Sequence, residues 1–155
     1  MARVVGRSLP ISMKFSVEIC NFVRNKTTNK AKEILNDVIE RKKAVPFKIF
    51  KKDLSHKRKI GPGRYPKNAS KEIIALLDSV EANAQSKGLN TSDLKIIHIC
   101  ANSSSRPWRY GRQRRRKAKR TNVEIIVEEK KHEDKNKEIK EKKVPVKKGA
   151  KEVKK

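Results

Sequence analysis

In the stretch Leu94-Lys95-Ile96-Ile97-His98-Ile99-Cys100-Ala101, apolar side chains fall on both alternating faces. Such a pattern is typical of a strand in the centre of a sheet. In the next apolar segment, residues 123–127, an apolar face alternates with one that carries glutamate, which suits a half-buried strand. About twenty residues separate the two strands, far more than a hairpin turn needs. We therefore expect an extended hairpin whose base lies in the sheet and whose tip projects.

The chain before this hairpin contains one short strand and two helices. Residues 3–9 predict the strand, which Pro10 closes. A first helix is predicted from about Lys14 to Arg24, with Ser12 as its N-cap. A second is predicted from about Asn29 to Lys42, with Thr28 as its N-cap, because its apolar residues form one stripe.

Residues 43–65 carry many basic residues and little periodicity, and they end in the turn signal Gly61-Pro62-Gly63-Arg64-Tyr65-Pro66. A loop of this length is usually functional or disordered. A third helix is predicted from about Pro66 or Lys67 to Lys87, and Gly88 follows where a left-handed residue belongs.

The predicted fold class is therefore α+β, with three helices packed on a small three-stranded antiparallel sheet and a long projecting β-hairpin. We expect one folded domain over residues 1–128, which includes the basic loop 43–65 and the hairpin tip 102–122. Residues 129–155 are rich in Lys and Glu, and this composition predicts a tail that is disordered when free.

The charge of the chain indicates a polyanionic partner. Lys and Arg number 42 against 17 Asp and Glu, a formal net charge of +25. Self-repulsion of this size leaves nucleic acid, an anionic membrane or an acidic protein as candidate partners. A membrane partner is not expected, because the sequence has no apolar run of about 18 residues and its helices have stripes of ordinary core size. The N-terminus has no apolar signal-peptide region.

Catalytic and metal chemistry find little support in the sequence. Cys20 and Cys100 lie in apolar contexts, which favours buried thiols over a disulfide that would require an oxidising compartment. The three histidines have no Cys or His partner at the spacing of zinc motifs, so no metal site is predicted. No acidic pair or phosphate-loop pattern indicates an enzyme. We expect no cofactor and no small-molecule substrate.

The segment from Arg106 to Arg120 carries the strongest functional signal. Nine of its fifteen residues are basic and none is acidic. Basic side chains that meet phosphates release counterions, and Arg adds bidentate phosphate contacts. Trp108 and Tyr110 lie among the arginines and suit stacking on unpaired bases, worth roughly 1–3 kcal/mol each. The alternatives are a solvated charge run, with two aromatics anchoring the stem, and a localisation signal.

Weaker signals of the same kind occur elsewhere. The basic loop 43–65 is a candidate RNA contact, and the alternative on its sequence alone is a structural connector. Arg64 and Tyr65 lie in a constrained turn that suits contact with a nucleic-acid backbone. A few charges near the N-terminus would contribute only beside a partner bound elsewhere.

Six short motifs, in this order, resemble the universal L-twenty-two family of large-subunit ribosomal proteins in its archaeal and eukaryotic form. The resemblance covers about residues 1–128. The motifs follow one another at family-like spacing and comprise Phe22-Val23-Arg24-Asn25-Lys26, Ala44-Val45-Pro46-Phe47, Gly61-Pro62-Gly63-Arg64-Tyr65-Pro66, Glu81-Ala82-Asn83-Ala84, Lys87-Gly88-Leu89 and Asp93-Leu94-Lys95-Ile96-Ile97-His98-Ile99.

The resemblance implies a cytoplasmic structural protein of the large ribosomal subunit that binds ribosomal RNA and aids subunit assembly. It implies neighbouring ribosomal proteins as partners, and a hairpin tip that contacts the nascent peptide in the exit tunnel. The family positions carried over are Arg24, Lys26, Arg64, Tyr65, Arg109, Tyr110 and Arg112. The alternative class is a free nucleic-acid-binding regulator or RNA chaperone. The complete set of predicted rRNA-binding residues is Arg3, Arg7, Lys14, Arg24, Lys26, Lys57, Arg58, Lys59, Arg64, Tyr65, Arg106, Trp108, Arg109, Tyr110, Arg112, Arg114, Arg115, Arg116, Lys117, Lys119 and Arg120.

Overall fold

The main sheet has three antiparallel strands, β1 (Ala2–Leu9), β5 (Leu94–Ser103) and β6 (Thr121–Glu129), in the order β1-β6-β5. The computed structural model describes residues 1–129. The predicted tail begins at residue 129, but Glu129 is the last residue of β6, and residues 130–155 lie outside the described part. β6 alternates buried and half-buried residues along its length, which confirms the pattern predicted for the second strand.

The prediction that Leu94–Ala101 forms the central strand is wrong, because β6 lies between β1 and β5. The outer edge of β5 is covered by the turn that follows the first helix. The Asn25 amide donates to the Ile96 carbonyl at 3.0 Å, and the Ile96 amide donates to the Lys26 carbonyl at 2.9 Å. A register shift between Ile96 and His98 leaves Ile97 39% exposed. Of the two apolar faces that the sequence shows in β5, the one away from the core is thus only partly buried.

Three helices cover one face of this sheet, as predicted: α1 (Met13–Val23), α2 (Thr28–Ile39) and α3 (Lys67–Ser86). The residue at the N-cap of α2 is Thr27, and Thr28 is already helical and buried. α2 ends three residues before Lys42 because Arg41 adopts a left-handed φ of +64°. Gly88 adopts a φ of +71° after α3, which confirms the predicted left-handed residue.

The hydrophobic core lies between the helices and the inner face of the main sheet. Its largest fully buried apolar side chains come from all three helices, from β5 and β6 and from the segment after α2: Ile19, Val23, Leu35, Val38, Val45, Ile73, Leu77, Leu94, Ile96, Ile99 and Ile125. Lys32 of α2 bridges Asp78 and Glu81 of α3, with nitrogen–oxygen distances of 2.6 Å to each. Among the described residues, no helix is both long and apolar enough to cross a bilayer.

The basic loop 43–65 contains a second antiparallel sheet that its sequence does not indicate. Its strands are β2 (Val45–Pro46), β3 (His56–Lys57) and β4 (Gly61–Arg64), in the order β2-β4-β3. These strands are two to four residues long, and β2 and β4 contain Pro or Gly, so the strands carry no alternating pattern. A Cβ added to Gly63 would lie 3.2 Å from the Val45 carbonyl oxygen, so the close approach of β2 and β4 favours glycine there.

Cys20 and Cys100 differ in exposure, and we expect them to differ in reactivity. Both are free thiols. Cys20 is buried in α1, as predicted, whereas Cys100 on β5 is only half-buried. Burial, reinforced by the nearby Cys100, raises the pKa of Cys20 to about 12. The thiolate is the nucleophile, so Cys20 stays protonated and inert at neutral pH.

Alkylation of the folded protein, followed by peptide mass spectrometry, should find Cys100 modified first, and equal rates would contradict this assignment.

Candidate nucleic-acid interface

The hairpin tip continues the β5–β6 ladder in an irregular form. The Ser104 amide donates to the Arg120 carbonyl at 3.3 Å, and the Ala118 amide donates to the Pro107 carbonyl at 2.8 Å. Further out, the Arg109 amide donates to the Arg116 carbonyl at 2.8 Å, and Trp108 and Lys117 form an isolated bridge. The prediction of an extended hairpin is therefore confirmed, with paired backbone as far out as residues 109 and 116.

The side chains of the tip are mostly exposed, and nine of the fifteen residues from Arg106 to Arg120 are cationic. Tyr110 is 94% exposed and Trp108 is 57% exposed, with the Lys117 ammonium 4.5 Å from the centroid of the indole ring. The end of the hairpin is a short 3₁₀ turn, Gly111–Gln113, which begins with a φ of +66° at Gly111. Around it a shallow concavity is lined by Gly111, Arg112, Arg114, Arg115 and Arg116. Several arginines on one concave surface suit a phosphate backbone that passes between them.

The basic loop is held in place by a buried carboxylate. Glu18 of α1 is 1% exposed, and its oxygens accept three successive backbone amides, those of Lys48 at 3.0 Å and of Ile49 and Phe50 at 2.8 Å each. Successive amides that converge on one anion form a compact nest. This contact fixes the loop to the core and so determines where its lysines project.

Segments that are distant in sequence form one surface around Phe15, which we call the basic face. One concavity beside Phe15 is lined by Lys14, Lys52 and Arg64, and a second by Tyr65, Lys67 and Lys119. A third is lined by Arg41, Lys57 and again Arg64 and Tyr65. The Lys57 ammonium lies 5.6 Å from the centroid of the Tyr65 ring. The structure thus brings together the predicted residues Lys14, Lys57, Arg64, Tyr65 and Lys119.

A separate basic cluster surrounds Phe22 at the end of α1. The ammonium groups of Lys26 and Lys43 lie 5.1 and 5.8 Å from the centroid of the Phe22 ring, and Lys26 also donates to the Phe22 carbonyl. Burial, together with the charges of Lys43 and Lys30, lowers the pKa of Lys26. An anion placed among these three lysines would relieve their mutual repulsion, so the cluster suits a phosphate.

Several of the predicted contacts have hydrogen-bond or ion-pair partners within the chain, among them Arg64, Arg106 and Arg120. Arg24 donates to the Ile99 carbonyl at 3.1 Å, and Arg3 pairs with Glu124 at 2.8 Å on the sheet face opposite the helices. Both arginines therefore have structural roles, and neither joins the basic face. Arg7, Arg58 and Lys59 are exposed.

Sequence reasoning did not single out several lysines and arginines that the structure adds to these surfaces. They are Lys52, Lys67 and Arg41 on the basic face, Lys43 beside Phe22, and Lys30 near Lys26. Each lies in a helix or a loop where charged residues are ordinarily solvated. The sequence marks Lys43 and Lys52 only as members of the basic loop 43–65. Their convergence in space with the other residues is visible only in the structure.

Comparison with known proteins gives one consistent family. A family model described as Ribosomal protein L22p/L17e matches residues 4–128. A large ribosomal subunit protein uL22 from Methanoculleus marisnigri is 41% identical over 137 residues, which cover 83% of this chain and 90% of the relative. The uL22 of Archaeoglobus fulgidus is 39% identical over 82% of this chain and 87% of its own length. That of Nanoarchaeum equitans is 40% identical over 88% and 83%, respectively.

Proposed function

Because the chain belongs to the ribosomal protein L22p/L17e family, we propose that it binds large-subunit ribosomal RNA and lines the nascent-peptide exit tunnel with its hairpin tip. Its relatives are named as large ribosomal subunit proteins, and the chain is correspondingly a structural constituent of that subunit and not an enzyme. The proposal places it in the cytoplasm, with ribosomal RNA, neighbouring ribosomal proteins and the nascent peptide as partners.

The observation that carries the proposal is the hairpin tip itself. Its backbone is paired out to residues 109 and 116, yet its side chains are exposed and contribute nothing to the core. A paired ribbon with exposed arginines can present their charges to a polyanionic surface beyond the folded domain. RNA crevices supply both the phosphates and the unstacked bases that Arg, Trp108 and Tyr110 suit.

The globular domain supports the same proposal. The basic face and the lysine cluster around Phe22 offer further phosphate sites on the body from which the hairpin projects. Contacts at body and tip together would connect separate RNA segments, and this is the basis of the proposed role in subunit assembly. Recognition here is electrostatic and geometric, and binding should be strongly salt-dependent.

A crosslinking experiment tests the tunnel position. A photoreactive aromatic residue in place of Tyr110, in ribosomes that carry a stalled radiolabelled nascent chain, is expected to crosslink to ribosomal RNA and to the peptide. Tyr110 suits this test because its ring is 94% exposed, so the replacement should not disturb packing.

The matched control places the same residue at Gln85, an exposed position on α3. Peptide crosslinks from position 110 that are absent from position 85 would support the tunnel position. Crosslinks to RNA alone from position 110 would retain rRNA binding and refute the tunnel contact. If position 110 crosslinks to neither ribosomal RNA nor the peptide, both parts of the proposal are refuted.

A further inference from the structure

The face of the main sheet opposite the helices brings together three side chains that can bind a metal. In the antiparallel register, Cys100 of β5 lies directly opposite Glu124 of β6, and His98 lies opposite Ile126. Residues two apart on a strand share a face, so His98 and Cys100 project to the same side. Glu124 projects there as well, because Val123 and Ile125 on either side of it are fully buried.

The ligand atoms of these three residues are nearly close enough to share one ion. The imidazole nitrogen, the thiol sulfur and the carboxylate oxygen all lie within 4.8 Å of one another. Bonds of about 2.0–2.3 Å in a tetrahedral site place ligand atoms roughly 3.5 Å apart. The remaining difference, about an ångström, is within reach of side-chain rotation, since His98 is exposed and Cys100 and Glu124 are half-buried.

We propose that His98, Cys100 and Glu124 form a binding site for Zn²⁺ or a similar borderline-soft divalent cation. One thiolate, one imidazole and one carboxylate are ligands that zinc accepts, whereas a thiolate disfavours Mg²⁺ and Ca²⁺. Three protein ligands leave the fourth tetrahedral position to water. The site lies on the sheet face opposite the helices and shares no residue with the basic face.

Two neighbouring residues support the ligands. Arg3 of β1 pairs with one oxygen of Glu124, Oε1, at 2.8 Å, and a carboxylate has a second oxygen for a metal. The side-chain amide of Asn102 donates to the Cys100 sulfur at 3.8 Å, which helps to orient that side chain. Groups that orient ligands in this way typically change metal affinity by about 10–100-fold.

The sequence prediction of no metal site rested on the spacing of known zinc motifs. His98 and Cys100 are separated by a single residue, which places both on one face only because the segment is a strand. The third ligand arrives from β6, beyond the whole hairpin tip. Only the register of β5 and β6 shows the arrangement.

Cobalt titration of the full-length chain tests the proposal, with Zn²⁺ as the competitor. We expect one equivalent of Co²⁺ to bind with the thiolate-to-metal charge-transfer band that identifies sulfur ligation, and Zn²⁺ to displace it. Cys100→Ser should abolish that band, and His98→Gln and Glu124→Gln should each weaken binding at least about tenfold.

The matched controls are Cys20→Ala, His56→Gln and His132→Gln, which change the other cysteine and the other two histidines of the chain. Each should bind Co²⁺ as the unaltered protein does, with circular dichroism confirming that every variant is folded. A charge-transfer band that survives in Cys100→Ser, or no binding by the folded parent chain, would overturn the proposal. As a second readout, Zn²⁺ should slow the alkylation of Cys100.

Discussion

Replacement of residues 106–118 by an Asn-Gly turn is expected to leave the domain folded while it weakens binding to large-subunit rRNA and flattens its salt dependence. The core draws on none of these residues, so secondary structure should survive. Ser105 and Lys119, the new ends, are already brought together by the hydrogen bond from the Ser104 amide to the Arg120 carbonyl, and a two-residue turn suits them. Arg120 is retained because it donates to the Ser8 carbonyl at 3.3 Å.

The expected effect on the salt dependence is large. The replaced segment contains seven Lys and Arg residues. Each phosphate contact contributes roughly 0.7–0.9 to the slope of log affinity against log salt concentration, so the slope should fall by as much as about 5–6. Filter binding to an rRNA fragment over a range of salt concentrations measures this slope directly.

Two controls separate charge from length and location. A full-length variant with Gln at the same seven positions should reproduce the loss of slope, because charge is its cause. Gln at Lys71 and Lys87, exposed lysines on α3 and directly after it, should leave the slope nearly unchanged. Loss of the far-UV circular dichroism spectrum in the Asn-Gly variant would show that the tip is part of the folding unit. An unchanged slope would exclude the tip from phosphate contact.

Substitution of Glu18 by Ala is expected to lower the free energy of unfolding by roughly 2–4 kcal/mol, because hydrogen bonds to a charged acceptor contribute about 1.5–3 kcal/mol each and partial rehydration of the loop offsets some of the loss. The amides of residues 48–50 would lose their common acceptor, and the basic loop would detach from α1. Urea unfolding measures the first effect, and hydrogen exchange at these three amides measures the second.

Glu18→Gln isolates the contribution of the charge, since the amide retains one acceptor oxygen at similar size. It should fall between the Ala variant and the parent protein. Glu33→Ala, at an exposed site on α2, is the control for the loss of a carboxylate and should change stability by less than about 0.5 kcal/mol. If Glu18→Ala is equally mild, the carboxylate does not anchor the loop.

The helices and long strands were predictable because each contains a run with its own period. α3 was predicted almost to the residue, from a helical stripe and a glycine at its end. The order of the strands was not predictable from the sequence. β5 has apolar residues on both faces because the turn at residues 24–27 covers its edge and the register shifts at Ile97, not because β5 is the central strand. The second sheet was missed because strands of two residues are too short to show any period.

The candidate interface was predictable where charge is dense in sequence and unpredictable where it converges in space. The tip is basic at nine of fifteen positions, a signal that needs no structure. The basic face depends on α1, the small sheet and the base of the hairpin meeting around Phe15. Arg3 is the opposite case: the sequence predicted an RNA contact, but the structure shows an ion pair with Glu124 that cannot be inferred from either residue alone.

The free edges of both outer strands of the main sheet are partly covered, and this affects how the chain behaves before it binds RNA. The backbone of residues 25–26 occupies part of the free edge of β5, and the Asn83 amide donates to the Arg3 carbonyl of β1 at 3.1 Å. An uncovered edge is a template on which strands of other molecules polymerise. Before assembly, a newly made subunit protein is present as many free copies. These edge contacts, together with the repulsion between chains that each carry a net charge of +25, oppose aggregation at that stage.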